Sequence, residues 1–248
     1  MSVYDPSAQR LFVGDTLNLR ELGGMPLKGG KTFRKGVFLR SGSPVDATDK
    51  GRRLIKEYGV NTEIDLRSSA ELKRFGNPFE HDKDVNFYNI PLFTGDPDAL
   101  DKDAMMNYLR THKLGHYYIS VLKDYKDELA DVLRILTNNT DGVCLFHCAH
   151  GKDRTGIITA LLYLLAGATR EDIVLNYKVS YEYAAYILDP LIEKREDELK
   201  HTLRSDAENM EILLDWLDKE YKGDIVSFLL DTGLSEHDIN TLRDRIIE

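Results

Sequence analysis

The chain is 248 residues long, with 42% hydrophobic residues and a formal net charge of −9 at pH 7. This length suits one large domain, or one domain with an appended subdomain, and the apolar content is enough for a substantial core. The negative charge argues against general nucleic-acid binding, so an anionic ligand would need a local cluster of positive charge. The only two cysteines, Cys144 and Cys148, provide neither a disulfide framework nor a cysteine-rich zinc site.

The first 22 residues lack the pattern of a targeting sequence. No basic segment precedes an apolar stretch there, and no apolar run in the chain reaches the length of a transmembrane helix. A reducing compartment would also keep a reactive thiol available. We therefore expect a cytoplasmic protein without stable membrane insertion, while secretion without a leader peptide stays open.

The N-terminal part of the chain predicts short strands separated by turns and one early helix. Strands are predicted at residues 11–13, 37–40, 60–66 and 85–90. Thr48 is expected to cap a helix that ends near Tyr58. Residues 28–35 carry four cations around paired glycines and predict an exposed hairpin.

The C-terminal part of the chain is predicted to be mainly helical. Residues 114–136 carry apolar side chains at helical spacing and predict a helix. The short apolar run at 143–146 has the length and composition of a strand, and the longer run at 157–165 suits a buried helix that ends at Gly167. Helices are expected from there to the end of the chain, and Ser235 is expected to cap the last of them.

Between that strand and that helix the chain reads His-Cys-Ala-His-Gly-Lys-Asp-Arg-Thr-Gly, from residue 147 to residue 156. In a tight loop that opens a helix, successive backbone N–H groups and the helix N-terminus form a cradle for an anion. Cys148 lies in this cradle, so the amides and two nearby cations should lower its pKa and favour the thiolate. A thiolate beside a bound phosphate is placed to attack phosphorus.

Other residues of this motif have separate expected roles. Arg154 follows Cys148 with five residues between them, and its planar fork suits two phosphoryl oxygens in the transition state. Thr155 would donate to the sulfur and help it leave when a phosphocysteine is hydrolysed. Gly151 allows a turn that a side chain would obstruct, and Gly156 allows the helix to pack close to the sheet. Because Arg154 and the amides would replace a metal ion, we expect no metal and no cofactor.

The motif resembles the cysteine-dependent phosphatases, whose signature is His-Cys, five residues, Arg and then Ser or Thr. More narrowly, residues 151–156 resemble the bacterial tyrosine phosphatases of broad specificity, which accept phosphotyrosine, phosphoserine or phosphothreonine and often phosphoinositides. Segments at 18–24, 39–42 and 64–68 are further landmarks of that group. The resemblance implies an α/β fold in which helices flank a central mixed or parallel sheet, with a helical extension or lid at the C-terminus.

The resemblance also implies what the motif residues bind. The expected phosphate-binding residues are Ala149, His150, Gly151, Lys152, Asp153 and Arg154. Lys152 adds a second positive charge, which in this family accompanies phosphoinositides or multiply charged substrates. His147 would orient the loop and tune the thiolate, and His150 would lie at the rim and touch substrate. We expect a phosphorylated protein or peptide as substrate, with a phosphoinositide as a further possibility, and a phosphate ion in the loop.

The general acid of the reaction stays open among three aspartates. Asp153 lies inside the anion loop, where a bound dianion would favour its protonated form, and relatives with Gly-Lys-Asp-Arg have been interpreted in this way. Asp96 and Asp98 lie where many cysteine phosphatases carry a mobile loop with the acid, although both also suit a turn or a helix cap. We place Asp153 ahead of the other two.

Two further carboxylates belong to segments that carry the resemblance. Asp65 lies near the carboxyl end of a predicted strand, where α/β sheets hold their sites. It is either a structural partner of Arg40 or Arg67, or a catalytic group. Glu21 stands where the resembling family usually has an aspartate, and a role in a structural turn is the simpler expectation.

Residues 181–222 exceed what a minimal phosphatase sheet requires. Related enzymes carry a helical lid over the pocket at this place, and Tyr181, Tyr183 and Tyr186 suit either a lid or plain packing. We therefore predict a single phosphatase domain over residues 1–248, with a helical lid or insertion at 181–222.

Two other functional classes stay open from the sequence. A catalytically silent phosphate-binding module would be expected to lose Cys148 or Arg154, and the chain keeps both. A sulfurtransferase of rhodanese type also places a cysteine in a loop before a helix, but its persulfide chemistry does not need the Arg-Thr end of the motif. We expect a phosphomonoester hydrolase.

Overall fold

The computed structural model describes residues 4–13, 16–92 and 101–248, and for residues 101–103 it describes the backbone alone. Strands and helices are interspersed up to residue 147, and a run of helices follows. The strands are β1 (Arg20–Glu21), β2 (Phe38–Ser41), β3 (Val60–Asp65), β4 (Asn86–Asn89) and β5 (Val143–His147). The helices are α1 (Asp49–Glu57), α2 (Ser69–Phe75), α3 (Asp101–Leu109), α4 (Leu114–Asp124), α5 (Lys126–Asn138), α6 (Asp153–Ala166), α7 (Arg170–Glu193), α8 (Ala207–Tyr221), α9 (Ile225–Asp231) and α10 (Glu236–Ile246).

The strands form one mixed sheet in the order β1-β2-β5-β3-β4. Strands β2, β5, β3 and β4 are parallel, and β1 is antiparallel to β2. The register brings the carboxyl ends of the parallel strands together, because Ser41 and Asp65 both pair with His147 and Asp65 also pairs with Asn89. Open α/β sheets hold their binding crevices at this edge. The predicted fold class is confirmed, and the motif loop leaves the central strand at that edge.

Hydrophobic cores cover both faces of the sheet and fix the elements on either side of the motif. Along β5, Cys144 and Phe146 belong to the larger core, whereas Val143 and Leu145 belong to a smaller core on the other face. Helix α6 is buried along eleven of its fourteen residues, so it is packed on almost every side. The loop between β5 and α6 is therefore anchored at both ends by buried structure.

Several predicted element ends agree with the structure in atomic detail. The Thr48 hydroxyl accepts a hydrogen bond from the Gly51 amide at 3.1 Å and caps α1. Gly167 ends α6 with a left-handed backbone at φ 87°, a conformation that glycine adopts readily. Ser235 caps α10 in a reciprocal capping box with Asp238.

Two predicted elements are wrong. Residues 11–13 form no strand, and the Leu11 amide instead makes a single hydrogen bond to the Leu19 carbonyl. The helix predicted over 114–136 is broken at Tyr125, whose φ of −119° and ψ of 38° end α4 before α5 begins. The apolar spacing continues across the break because both helices pack against the same core, so periodicity alone does not reveal it.

Residues 181–222 are mostly helical. They contain the C-terminal part of α7, a 3₁₀ helix at Asp197–Leu203 and the whole of α8. A small cluster of Ala184, Leu188, Ile192 and Leu203 holds this segment together. The lid role and the single-domain organisation stay predictions.

In the ranges that the structure describes, no helix has the combined length and apolarity needed to cross a bilayer.

Candidate active site

The motif loop is fastened through its carbonyl groups. Asn18 Nδ2 donates to the carbonyl oxygens of His150 and Gly151, each at 3.0 Å. Arg40 Nη2, from β2, donates to the same Gly151 oxygen at 2.7 Å. Both of these donor side chains are buried, so the contacts are protected from water.

The two preceding carbonyls are held in the same way. The Cys148 carbonyl lies 3.1 Å from Nδ1 of His147, and the Ala149 carbonyl accepts from the Ser43 amide at 2.9 Å. In a trans peptide the C=O and the following N–H point in opposite directions. Because the carbonyls of residues 148–151 all bind the surrounding scaffold, the amides of residues 149–152 are directed to the inner side of the loop.

These inward amides are the donors of an anion cradle. Among the described residues, no backbone group accepts a hydrogen bond from the amides of residues 149–152. Helix α6 begins at Asp153, so the free N–H groups of its first turn lie next to them. The set contains the residues predicted to bind phosphate, and its geometry suits an oxyanion with several equivalent oxygens.

Cys148 lies at the base of this cradle and is only 2% exposed. Burial by itself raises the pKa of the thiol, but the charge of Arg154 and hydrogen bonds from the Thr155 side chain and backbone outweigh it and lower the pKa. The Thr155 hydroxyl oxygen is buried and has no other partner in the part of the chain that the structure describes. That hydroxyl is therefore available to the sulfur.

Arg154 is fixed by a carboxylate that the sequence did not single out. Its Nη1 and Nη2 donate to Oε2 and Oε1 of Glu71 at 2.6 and 3.0 Å. Glu71 also closes a capping box at the start of α2, where it exchanges hydrogen bonds with Ser68. Burial raises the pKa of Glu71, but Arg154 and Ser68 lower it below its usual value. The Ser-x-x-Glu spacing predicts the capping box but not its contact with the loop.

Lys152 does not face the inner side of the loop. It is 1% exposed, and its ammonium donates to the carbonyls of Thr202 at 3.0 Å and Arg204 at 2.8 Å, and to Asp153 Oδ1 at 2.8 Å. The predicted second substrate-facing cation is thus engaged by protein groups. Lys152 instead ties the loop to the end of the 3₁₀ helix within residues 181–222.

Among the described residues, Asp153 has hydrogen-bond partners at one carboxylate oxygen only. Its Oδ1 accepts from Lys152 and from the Tyr118 hydroxyl at 2.5 Å, and Tyr118 is in turn 2.6 Å from the hydroxyl of Tyr177. In the described ranges no group contacts Oδ2 within hydrogen-bond distance. The other two acid candidates, Asp96 and Asp98, lie outside the described residues.

Below the loop, His147 belongs to a fully buried charge cluster. Its Nε2 is 3.0 Å from Glu63 Oε1 and 3.7 Å from Asp65 Oδ2. Burial by itself lowers the pKa of His147, but these carboxylates raise it to about 9, so the ring is protonated at neutral pH. This charged ring then donates to the Cys148 carbonyl, which fixes the start of the loop.

Asp65 has the structural role that the sequence left open, and its partner is Arg67. Arg67 Nε and Nη2 bind both of its carboxylate oxygens at 2.7–3.1 Å, and Arg40 points elsewhere. Burial raises the pKa of Asp65, but His147 and Arg67 lower it to about 2. Glu21 is also structural, because it accepts hydrogen bonds from three backbone amides, those of residues 22, 23 and 36.

His150 lies at the edge of the loop and is half-buried. Burial, followed by the charge of Lys152, lowers its pKa to about 4, so the ring is neutral at physiological pH. In the described part of the chain, no group of three or more His, Cys, Asp and Glu residues is arranged to hold a metal ion.

The raised pKa of His147 predicts a stability that falls as the pH rises. In the folded state His147 stays protonated up to about pH 9, whereas the unfolded side chain has its ordinary pKa of 6.5. The protonated ring therefore stabilises the folded state fully below about pH 6.5. This stabilisation is lost as the pH rises through about 9, and it amounts to about 3 kcal/mol at most. Because the pKa of Cys148 is lowered, its ionisation makes the free energy of unfolding rise with pH over the same range. The measurement is therefore made in a Cys148→Ser background.

Urea unfolding of Cys148→Ser, followed between about pH 6 and about pH 9, should show this decrease in the free energy of unfolding. The control is the double variant Cys148→Ser/His147→Gln, whose stability should be lower at the acidic end and change little with pH. Equal slopes in the two proteins would contradict the assignment to His147.

Comparison with known proteins gives a consistent result. The model of a family described as the tyrosine phosphatase family matches residues 12–248. A tyrosine-protein phosphatase from Nostoc commune is 33% identical over 147 residues, which cover 59% of this chain and 49%, about half, of that protein. A Cupriavidus necator protein is 28% identical over 220 residues, 77% of each chain. The triple specificity protein phosphatase PtpB of Mycobacterium tuberculosis is 25% identical over 256 aligned positions, 85% of this chain and 91% of its own.

Proposed function

This chain belongs to the tyrosine phosphatase family, and on that premise we propose that it is a protein tyrosine phosphatase of broad specificity that acts through a phosphocysteine intermediate. One observation carries the proposal: a buried cysteine of lowered pKa lies in a loop whose amides have no backbone partner among the described residues, six residues before an arginine that Glu71 fixes. A thiolate, an anion cradle and a bidentate cation together are what in-line phosphoryl transfer requires.

In the first step the Cys148 thiolate attacks phosphorus, so a P–S bond forms while the bond to the leaving oxygen breaks. The loop amides and the guanidinium of Arg154 bind the equatorial oxygens, whose negative charge they stabilise most strongly in the transition state. Asp153 gives its proton to the leaving oxygen from Oδ2, the oxygen with no partner among the described residues.

In the second step a water molecule attacks the phosphocysteine. The Asp153 carboxylate takes a proton from the water, the P–S bond breaks, and inorganic phosphate and the thiolate are formed. The Thr155 hydroxyl donates to the departing sulfur, which makes it a better leaving group. Asp96 and Asp98 are the alternative acids for the first step.

Replacement of Asp153 by asparagine should therefore lower kcat most for the substrates whose leaving group most needs protonation. We expect kcat for phenyl phosphate to fall about a hundredfold, and kcat for a nitrophenyl phosphate, whose leaving group needs little protonation, to fall less than about tenfold. Steady-state kinetics with both esters at one pH measure this difference. Equal losses with the two esters would move the acid role to Asp96 or Asp98.

The substrate class follows from the family and from the loop. The mycobacterial relative bears the name of a triple specificity protein phosphatase, which supports a broad specificity. We expect phosphotyrosine to be preferred. Lys152, the residue associated with phosphoinositides, is held by the carbonyls of Thr202 and Arg204, so lipid turnover should be slower than turnover of phosphotyrosine.

This preference is tested with matched peptides that carry phosphotyrosine, phosphoserine or phosphothreonine, and with short-chain phosphoinositides, all in EDTA. Phosphate release should be fastest from phosphotyrosine and measurable from the other two peptides. Turnover of phosphoserine peptides or lipids that is at least about tenfold faster, a difference of about 1.4 kcal/mol, would contradict the proposed preference.

A further inference from the structure

Two arginine side chains lie buried behind the loop, and the mechanism above does not use them. Arg20 in β1 is 0% exposed and Arg40 in β2 is 1% exposed. The two strands are adjacent, and Arg20 pairs with Arg40 across the ladder. On its other side, Arg20 pairs with Arg10 in an isolated bridge. Two like charges are thus buried next to each other in the protein interior.

Their hydrogen bonds are made to neutral groups. Arg40 donates to the Gly151 carbonyl at 2.7 Å and to Asn176 Oδ1 at 3.0 Å. Arg20 donates to the Asn176 carbonyl at 3.1 Å and to the Ser180 hydroxyl at 2.8 Å, and it also contacts Asn18. Asn176 on α7 therefore bridges the two guanidiniums through its backbone and its side chain.

No carboxylate compensates this charge within the described residues, since neither arginine takes part in a salt bridge there. The Nε atoms of both are buried without a hydrogen-bond partner in the same part of the chain. Burial of an unpaired charge normally costs several kcal/mol. A buried cationic pair needs an anion nearby, and Arg40 contacts the loop that holds the Cys148 thiolate.

The groups that face the pair support this reading. Burial lowers the pKa of Arg40 well below its usual value and the charge of Arg20 lowers it further, whereas the Cys148 thiolate raises it. The other titratable groups around the pair are the phenols of Tyr4, Tyr163 and Tyr183, with Arg10 as a further cation near Arg20. At neutral pH these phenols are uncharged, so the loop anions are the source of negative charge.

We propose that Arg20 and Arg40 form a buried cationic pair whose charge stabilises the two anions of the loop, the Cys148 thiolate and the bound phosphate. Arg40 acts on the loop from behind, through the Gly151 carbonyl, and is a positioning residue that also supplies charge. The inference rests on the proposed function, because it takes phosphate as the ligand of the loop. On this proposal, part of the affinity of the loop for anions comes from these two buried side chains and not from the loop residues themselves.

The sharpest test places one negative charge between the arginines. Asn176→Asp keeps the size of the side chain and puts a carboxylate oxygen where Arg40 already donates. The pH midpoint of Cys148 alkylation by iodoacetamide should rise by about one unit, and the Kd for inorganic phosphate, measured by calorimetry, should rise about tenfold. Asn240→Asp on the exposed face of α10 adds the same charge far from the loop and should change neither value.

A second pair of variants separates charge from hydrogen bonding and serves if Asn176→Asp does not fold. Arg40→Lys keeps the positive charge and should retain the wild-type alkylation midpoint within about 0.3 unit, whereas Arg40→Gln loses the charge and should shift it upward by about one unit. Equal shifts in the two Arg40 variants, or an unchanged midpoint in Asn176→Asp, would overturn the proposal. Neither readout depends on turnover. If wild type binds phosphate but hydrolyses no ester, while the variants show these shifts, the proposed function is rejected and the cationic pair is retained.

Discussion

Arg154→Lys is expected to lower kcat/KM for an aryl phosphate about a thousandfold with the fold intact. Arg154 presents two N–H groups to Glu71 and one to the Leu66 carbonyl, which leaves Nε and one N–H of Nη2 for the phosphoryl oxygens. A lysine ammonium keeps the charge, but it cannot bind a carboxylate and two phosphoryl oxygens in one plane. Because these contacts are strongest in the transition state, the loss should fall mainly on kcat.

Glu71→Gln is the matched control for this prediction. It keeps the length of the side chain and removes the charge that fixes Arg154, so Arg154 retains its own donors but is less well oriented. We expect a loss of about tenfold, well short of the loss in Arg154→Lys. A decrease of less than about tenfold in Arg154→Lys would mean that Arg154 is not the transition-state cation. Thermal unfolding curves of both variants check that the fold is retained.

Gly151→Ala should also have a large effect, because it combines backbone strain with a direct clash. Gly151 has φ 66°, and a Cβ there would lie 2.4 Å from the carbonyl carbon and oxygen of Ser41. The loop must move to avoid the contact, which withdraws the Gly151 carbonyl from Arg40 and Asn18. We expect kcat/KM to fall at least about a hundredfold, because displacements of about 1 Å at a reacting centre have effects of this size.

Gly167→Ala is the matched control, because it introduces the same kind of backbone strain at a positive φ without a steric clash. Gly167 has φ 87°, and no atom lies within 4 Å of the place where its Cβ would be. It should destabilise the protein by about 1 kcal/mol and leave kcat/KM unchanged. Comparable losses of activity in the two alanine variants would show that strain alone, and not the fit of the loop against β2, explains the effect.

The local structure of the motif could be predicted from the sequence because its determinants are local. An apolar run of strand length, a loop with a glycine and a long apolar run of helix length define the path from β5 to α6. Part of the anion cradle follows from the same pattern, because the first turn of any helix has N–H groups without intrahelical partners. The lowered pKa of Cys148 has its causes in Arg154 and Thr155, both within the motif.

The scaffold around the loop could not be predicted in this way. Asn18 and Arg40 reach the loop across 132 and 111 residues of sequence, and only the pairing of β2 with β5 brings Arg40 near Gly151. Glu71 reads in the sequence as an ordinary helix cap. Lys152 reads as a cation for the ligand, but the carbonyls of Thr202 and Arg204 lie within its reach and hold it.

The packing of Gly156 shows the same limit. The sequence predicts that it lets α6 approach the sheet, whereas a Cβ there would first meet the ring of Tyr177 on α7, at 3.2 Å. The neighbour across a close helix contact depends on how later helices fold back, and no local signal encodes it. The predicted close approach is therefore present, with Tyr177 nearest and Arg40 Nη2 of β2 further away at 3.8 Å.

The central claim, phosphoryl transfer to Cys148, is tested most directly by hydrolysis of a small aryl phosphate in EDTA, with wild type compared to Cys148→Ser. The serine hydroxyl is not ionised at neutral pH, so the variant should bind inorganic phosphate and show no turnover, whereas wild type turns over without added metal. Turnover that survives the substitution, or that requires a metal ion, would contradict the account. Phosphate binding with no turnover in either protein would also contradict it and identify the chain as a silent phosphate-binding module.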